Sequence, residues 1–358
     1  MIRLEVPLLK ELASGIFLAR PSQTPKWNCN GLVISDLDPR GGGSVLVDCN
    51  FPPDDAANLL DRLGGEVAAH VVTHFHLDHA NMVKSWEELG VPVFAPAPEA
   101  AFFSDVGAFM RENGAVDWGI ENAFRAFVEQ GLKFRELDHV RPFDPEGARF
   151  RVGGGQVQTI HLPGHSPGHV GLLVDPPVDA VDSDSKAIKV LHVSDVGVEG
   201  LGAWYGFKYC DLSAVRSSAE KAKAAYESTR GANGGVVLTA GHGEPISPAA
   251  AGDAFDSISE KIDATTRRLL EKFRGGRALG LPDLVLAGVY YRKSSMDKLG
   301  PVERGLYAFW EGWTLLHHLE ELAERGVLRE VSPRDAREVG ATPFGRVPGD
   351  WTRAWKLA

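Results

Sequence analysis

The sequence predicts an α/β fold, on two observations. Short β-branched apolar runs alternate with amphipathic helical stretches, and clusters of polar, ligand-type residues directly follow several of those runs. Alternation of this kind builds sheets covered by helices, and such sheets hold their chemistry beyond the carboxyl ends of strands. Residues 1–50 supply two or three strands, with turn signals at Asp38-Pro39-Arg40-Gly41-Gly42-Gly43. Residues 54–64 and 81–90 have the pattern of crossover helices, and Val67-Ala68-Ala69-His70-Val71-Val72 between them reads as a buried strand. A second set of strands runs from about 148 to 194, broken by the polar stretch 175–186, read as a protruding loop. Ser247-Pro248 opens a helical run to Phe273, with Phe255, Ile258, Ile262, Leu269 and Phe273 at three-to-four spacing. A longer amphipathic helix crosses 302–325, and Gly326 is a good stop for it. The tail from 331, with Trp351 and Trp355, reads as extended and packed by its aromatics.

Composition bounds the function. At 358 residues the chain is long enough for two domains, and 44% apolar content suits a packed globule. No run approaches the roughly 18 apolar residues of a membrane span. Charges and proline interrupt Met1-Ile2-Arg3-Leu4-Glu5-Val6-Pro7 before a secretory apolar core forms. Cys29, Cys49 and Cys210 form no disulfide framework and no thiolate metal site. The expected location is the cytoplasm, without a membrane partner. A net charge of −10 argues against non-specific nucleic-acid binding.

The densest chemistry is Thr73-His74-Phe75-His76-Leu77-Asp78-His79, immediately after the 67–72 strand. His74 and His76 are two apart, so extended backbone points both to one side, where they can grip one cation. Asp78 and His79 follow the point where the strand must turn and can face a second cation. Imidazole and carboxylate suit zinc, iron or manganese. Solvated polar residues at a strand end are the alternative, but four ligand-type residues in this pattern argue against it. Further ligand types follow later strand-like runs: Pro163-Gly164-His165-Ser166-Pro167-Gly168-His169, then Ser194-Asp195, then Ala240-Gly241-His242-Gly243.

This ordered series resembles the metallo-β-lactamase superfamily over roughly residues 14–246. The resemblance implies an αββα sandwich and a two-metal site. His74, His76 and His165 match the first metal position, Asp78, His79 and His242 the second, and Asp195 the bridging carboxylate. Asp78 and Asp195 are then the carboxylates of catalysis, and the cofactors two divalent transition ions, zinc first and iron or manganese after it. Asp48 matches an aspartate that supports the metal loop through hydrogen bonds, and His169 a histidine beside the metals that holds ligands or substrate. Cys49-Asn50 and Ser194 depart from the family pattern, which has a small residue with glycine and a glycine there. His161 and His192 read as core histidines, and His317-His318 as helix surface and packing.

The domain reading is a catalytic unit over 1–250, a small C-terminal helical unit resembling a winged helix over 251–335, and a tail over 336–358. The C-terminal unit reads first as a pocket-completing or homodimer-forming module. Residues 261–330 hold 12 Lys/Arg against 10 Asp/Glu, and Arg267, Arg268, Lys272, Arg274 and Arg277 form the one basic cluster. Residues 99–140 carry an aromatic series that reads either as helices packed on the flank or as an apolar wall, with Phe102, Phe109 and Trp118 as substrate contacts. The leading function is a metal-bridged hydroxide attacking an ester-type carbonyl, a thioester or lactone, with a small acyl substrate as partner. Single-stranded RNA cleavage is the alternative, and an iron-dependent oxidoreductase of the same fold ranks third.

Overall fold

The computed structural model describes residues 8–22, 28–35, 43–152, 155–176, 188–200, 202–231, 235–333 and 347–358. Residues 38–42 of the expected turn and 177–186 of the expected loop lie outside them. The first sheet runs in chain order through β1 (Leu8–Ala13), β2 (Ile16–Arg20), β3 (Gly31–Ile34), β4 (Ser44–Val47), β5 (Val67–Val71), β6 (Val93–Pro96) and β7 (Val140–Phe143). Its first four strands are antiparallel neighbours, and β4 through β7 pair in parallel. The parallel part needs crossovers, supplied by α1 (Pro53–Arg62), α2 (Leu77–Ala80), α3 (Lys84–Glu88), α4 (Val106–Glu112) and α5 (Glu121–Ala126). The expected 81–90 helix is thus only a short one.

The second sheet has the order β12-β11-β10-β9-β8, built from β8 (Arg149–Val152), β9 (Gly155–His161), β10 (Val170–Asp175), β11 (Lys189–His192) and β12 (Val236–Thr239). Helix α6 (Leu212–Gly231) joins its last two strands, which are parallel, so both end on the same edge. Side-chain alternation divides the core. Leu32, Ile34, Val45, Val47 and Val71 from the first sheet meet Val157, Val170, Leu172, Val174 and Val190 from the second in the layer between the sheets. Val33 and Leu46 point the other way, into the larger core under the helices. Burial on both faces is why these strands read as continuous apolar runs.

The C-terminal segment comprises α7 (Ala251–Lys272), β13 (Leu279–Gly280), α8 (Leu281–Ala287), α9 (Lys293–Met296), α10 (Pro301–Glu324), β14 (Leu328–Val331) and β15 (Ala354–Leu357). The tail is extended and packs by its aromatics, Trp351 and Trp355 being buried, and its strand β15 pairs with both β13 and β14, which joins 347–358 to the C-terminal unit. An edge left by β14 alone would expose unpaired backbone, and β15 fills it. His318 is also buried, not surface: its two ring nitrogens meet the Tyr205 hydroxyl at 3.1 Å and Thr266 Oγ1 at 3.0 Å. Helix α10 is buried on nearly every side between residues 306 and 319, because it lies between this unit and the catalytic body. At Gly312 a Cβ would fall 2.1 Å from the Trp118 ring, so only glycine admits that close approach.

Candidate metal centre

Strand β5 ends at Val71 beside β4, the chain bends at Thr73 and His74, and His76 is extended (φ −113°, ψ 152°) before α2 begins. That geometry turns His74 and His76 one way and Phe75 the other. Phe75 is fully buried against Phe103 and Phe109, with ring centroids 4.7 and 4.8 Å away. Helix α2 then carries Asp78 and His79 round. His165 comes from the β9–β10 turn, Asp195 from the single helical turn after β11, and His242 from the loop after β12. All seven expected ligands come together as two groups, His74–His76–His165 and Asp78–His79–Asp195–His242, each with its donor atoms within 4.8 Å of one another. Asp195 joins them: its carboxylate lies 3.6 Å from His165 Nε2, 3.3 Å from His79 Nε2 and 3.5 Å from His242 Nε2.

Hydrogen bonds around the cluster orient His79, His165 and His76 inwards. Asp48 is buried and accepts from the Thr73 N–H at 2.8 Å, the Thr73 hydroxyl at 2.6 Å and His79 Nδ1 at 2.9 Å. With the His79 proton on Nδ1, its Nε2 lone pair faces the cluster. His165 Nδ1 donates to the Trp204 carbonyl at 2.7 Å, which frees its Nε2 in the same way. His76 Nε2 lies 3.1 Å from the Tyr209 hydroxyl, leaving Nδ1 for a cation. His169 is spent on both nitrogens. Nδ1 donates to the Leu162 carbonyl at 2.8 Å and Nε2 accepts the Asp195 N–H at 3.1 Å, so it holds the backbone that carries Asp195. Of the core histidines, His192 is buried against Thr239 Oγ1, while His161 is partly exposed and bonds the Pro167 carbonyl.

The donor set fits a cation. His79 Nε2 and Asp195 Oδ1 are buried without a hydrogen-bond partner. Asp195, opposed by burial and aided by Asp78, raises the His242 pKa to about 11. Gly241 shows how tight the pocket is, since a Cβ there would fall 2.0 Å from Asp195 Oδ1.

Four residues act here that their types alone did not reveal. Glu99 is fully buried and accepts from the Phe75 N–H, the Gly168 N–H and the Ser166 hydroxyl, tying the loop of His74 and His76 to the loop of His165. Asn50 donates to the Asp78 carbonyl and accepts the Met82 N–H at 2.7 Å, holding the start of α2. Ser194 takes a left-handed φ of 46°, the conformation for which glycine is usual, and its hydroxyl meets Thr73 Oγ1 at 2.8 Å. Asn30 donates from Nδ2 to the Ala240 carbonyl at 3.0 Å and the Gly243 carbonyl at 2.8 Å, clamping the His242 loop.

A cavity of about 340 Å³ opens on the cluster, and His76, Asp78, His165, Asp195 and His242 line both. Its wall differs from the expectation. Phe102, Phe109 and Trp118 are buried in the core: Phe102 and Phe109 pack behind Phe75, and Trp118 packs on Trp313, Phe309 and Trp351. The same segment contributes Phe124 and Phe127 instead, beside Trp204 and Phe207. Helical spacing showed that residues 99–140 bury aromatics, but not which face looks at the site.

Glu199 also lines the cavity, and burial, with the charge of Asp195 after it, pushes its carboxyl up to about 7. Between the ordinary glutamate value and that point, the metal-free folded protein keeps a proton that the unfolded chain has released. Stability therefore falls as pH rises through this window, and the whole cost is present above it. Glu199→Gln is expected to raise the Tm of chelator-treated protein at pH 8 and leave it nearly unchanged at pH 4, as read by calorimetry.

Comparison with known proteins agrees with this geometry. Residues 25–175 match the family model described as metallo-beta-lactamase superfamily. A hydroxyacylglutathione hydrolase of Haemophilus influenzae is 22% identical over 136 residues, which are 36% of this chain and 55% of that protein. This chain thus spans about half the length of that curated relative. A beta-lactamase domain protein from Burkholderia ambifaria superposes with a TM-score of 0.63 at 19% identity, covering 98% of this chain and 95% of its own. A metallo-beta-lactamase family protein from Thermus thermophilus gives 0.62 at 20% identity, covering 97% and 100%. At such identities the likeness shows the fold alone, and it extends through the C-terminal unit. No helix of the described residues is long and apolar enough to cross a membrane. The chain carries a metallo-β-lactamase superfamily domain, and its fold is the metallo-β-lactamase fold.

Proposed function

We propose that the protein hydrolyses an ester-type carbonyl, a thioester or lactone with an apolar acyl part, using two divalent transition ions, zinc first among them. The observation that carries this reading is the cavity. Its wall is aromatic, the described residues lining it include no Lys or Arg, and it opens directly on two converging donor groups. When bound, two cations supply Lewis acidity and bring the pKa of water towards neutrality. His74, His76 and His165 would hold one, Asp78, His79 and His242 the other, with Asp195 shared. The chain's own part is orientation: Asp48, His169 and Glu99 fix the ligands, and the wall strips water from the acyl group. A substrate lying along that wall brings its carbonyl to the side chains shared by cavity and cluster.

The thioester choice is supported by the hydroxyacylglutathione hydrolase match. The RNA reading has less behind it, because burying phosphates without cationic partners costs several kcal/mol. Arg268, from the one basic cluster, is engaged with the Val289 carbonyl and Thr265 Oγ1. Purified, zinc-loaded protein assayed on acyl thioesters, lactones and single-stranded RNA should turn over at least one of the first two classes. Cleavage of RNA with every acyl substrate untouched would overturn the proposal.

A further inference from the structure

The C-terminal unit builds the far side of the cavity: Tyr290 and Tyr291 from the turn after α8, Tyr307 and Trp310 from α10. The turn is irregular, and one buried side chain holds its shape. Glu311, fully buried on α10, accepts the Val289 N–H at 2.7 Å and the Tyr290 N–H at 2.8 Å on Oε1, and the Tyr291 N–H at 2.8 Å on Oε2. Arg268 Nε adds a bond of 2.9 Å to the Val289 carbonyl. Three successive amides on one carboxylate form a rigid, charge-assisted clasp. The wall is then pinned to the metal side, because Trp204 Nε1 donates to the Tyr291 hydroxyl at 2.7 Å while the Trp204 carbonyl accepts from His165 Nδ1 at 2.7 Å. A continuous line of hydrogen bonds therefore runs from Glu311 through Tyr291 and Trp204 to a candidate ligand.

Burying a carboxylate is expensive unless its acceptors are used, and here they are used entirely on the turn. The α10 position could pack with an apolar side chain, but such a side chain could not order the three amides. We propose that Glu311 is a positioning residue for substrate specificity: it sets Tyr290 and Tyr291 so that the cavity selects uncharged, apolar acyl or aryl groups. The acyl part of this statement rests on the proposed ester hydrolysis, whereas the shape of the apolar wall does not.

The test uses the full-length zinc-loaded protein, with 4-nitrophenyl esters of two to ten acyl carbons and 2-naphthol as a ligand that is not hydrolysed. Glu311→Gln puts an amide N–H against a backbone N–H and so breaks the clasp. Its KM for long acyl chains should rise about tenfold, a loss of about 1.4 kcal/mol, with kcat and metal content little changed. The 2-naphthol quenching of tryptophan fluorescence should weaken similarly, and Glu311→Asp should recover part of both. If Glu311→Gln does not fold, Tyr291→Phe, which frees the wall from Trp204, should flatten the chain-length preference in the same way. An unchanged profile and unchanged naphthol affinity in a folded variant would overturn the proposal, as would an equal loss at all chain lengths. Failure to hydrolyse any ester would count against the proposed function alone, since the naphthol measurement still reads the wall.

Discussion

Asp195→Ala is expected to empty both cation positions and to cut hydrolysis by at least about a thousandfold, the scale of losing the electrostatic centre of a site. Its carboxylate lies near members of both sets, His165 on one side and His79 and His242 on the other. Removing it takes a negative charge from between five histidines. His242, which Asp195 above all holds protonated, would then titrate lower. Elemental analysis alongside kcat/KM checks this result. His242→Ala, at the rim of the second group only, should leave more metal than Asp195→Ala does.

Glu99→Ala is expected to be the most destabilising single change near the site. Its carboxylate satisfies three donors at zero exposure, and losing it leaves those donors buried and unpaired. At about 1–3 kcal/mol for each of the three unsatisfied groups, the loss is on the order of 3 kcal/mol or more. Calorimetry should show a Tm lower by several degrees. Metal binding by the His74–His76–His165 group should weaken with it, because the two loops carrying those residues share this anchor. Glu99→Gln keeps the shape and one acceptor, and is expected to lose less.

Much of the donor cluster was legible because it is local. His74, His76, Asp78 and His79 sit in one short motif, and the two-residue spacing of His74 and His76 puts them on one side. The later ligands each follow a strand, where α/β sheets place their chemistry. What could not be read is what lies far apart in the chain. Glu99 is an ordinary residue by type, and its role exists only because the loops near 75 and 166 meet around it. Phe102 and Phe109, seven apart, and Phe124 and Phe127, three apart, both fit a helical period, yet only the latter pair lines the cavity. The tail was legible as extended and packed by its aromatics, but not the partners of β15, which lie more than twenty residues upstream. Ser194 marked a departure from glycine in the sequence, and its bond to Thr73 accompanies that departure in the structure.

Counting the transition-metal ions per chain tests the central claim most directly. Protein purified without chelator is analysed for metal, stripped, and reloaded with zinc while ester hydrolysis is followed. The account predicts close to two ions per chain, with activity lost on stripping and regained only as the second equivalent binds. Full activity in metal-free protein would contradict it.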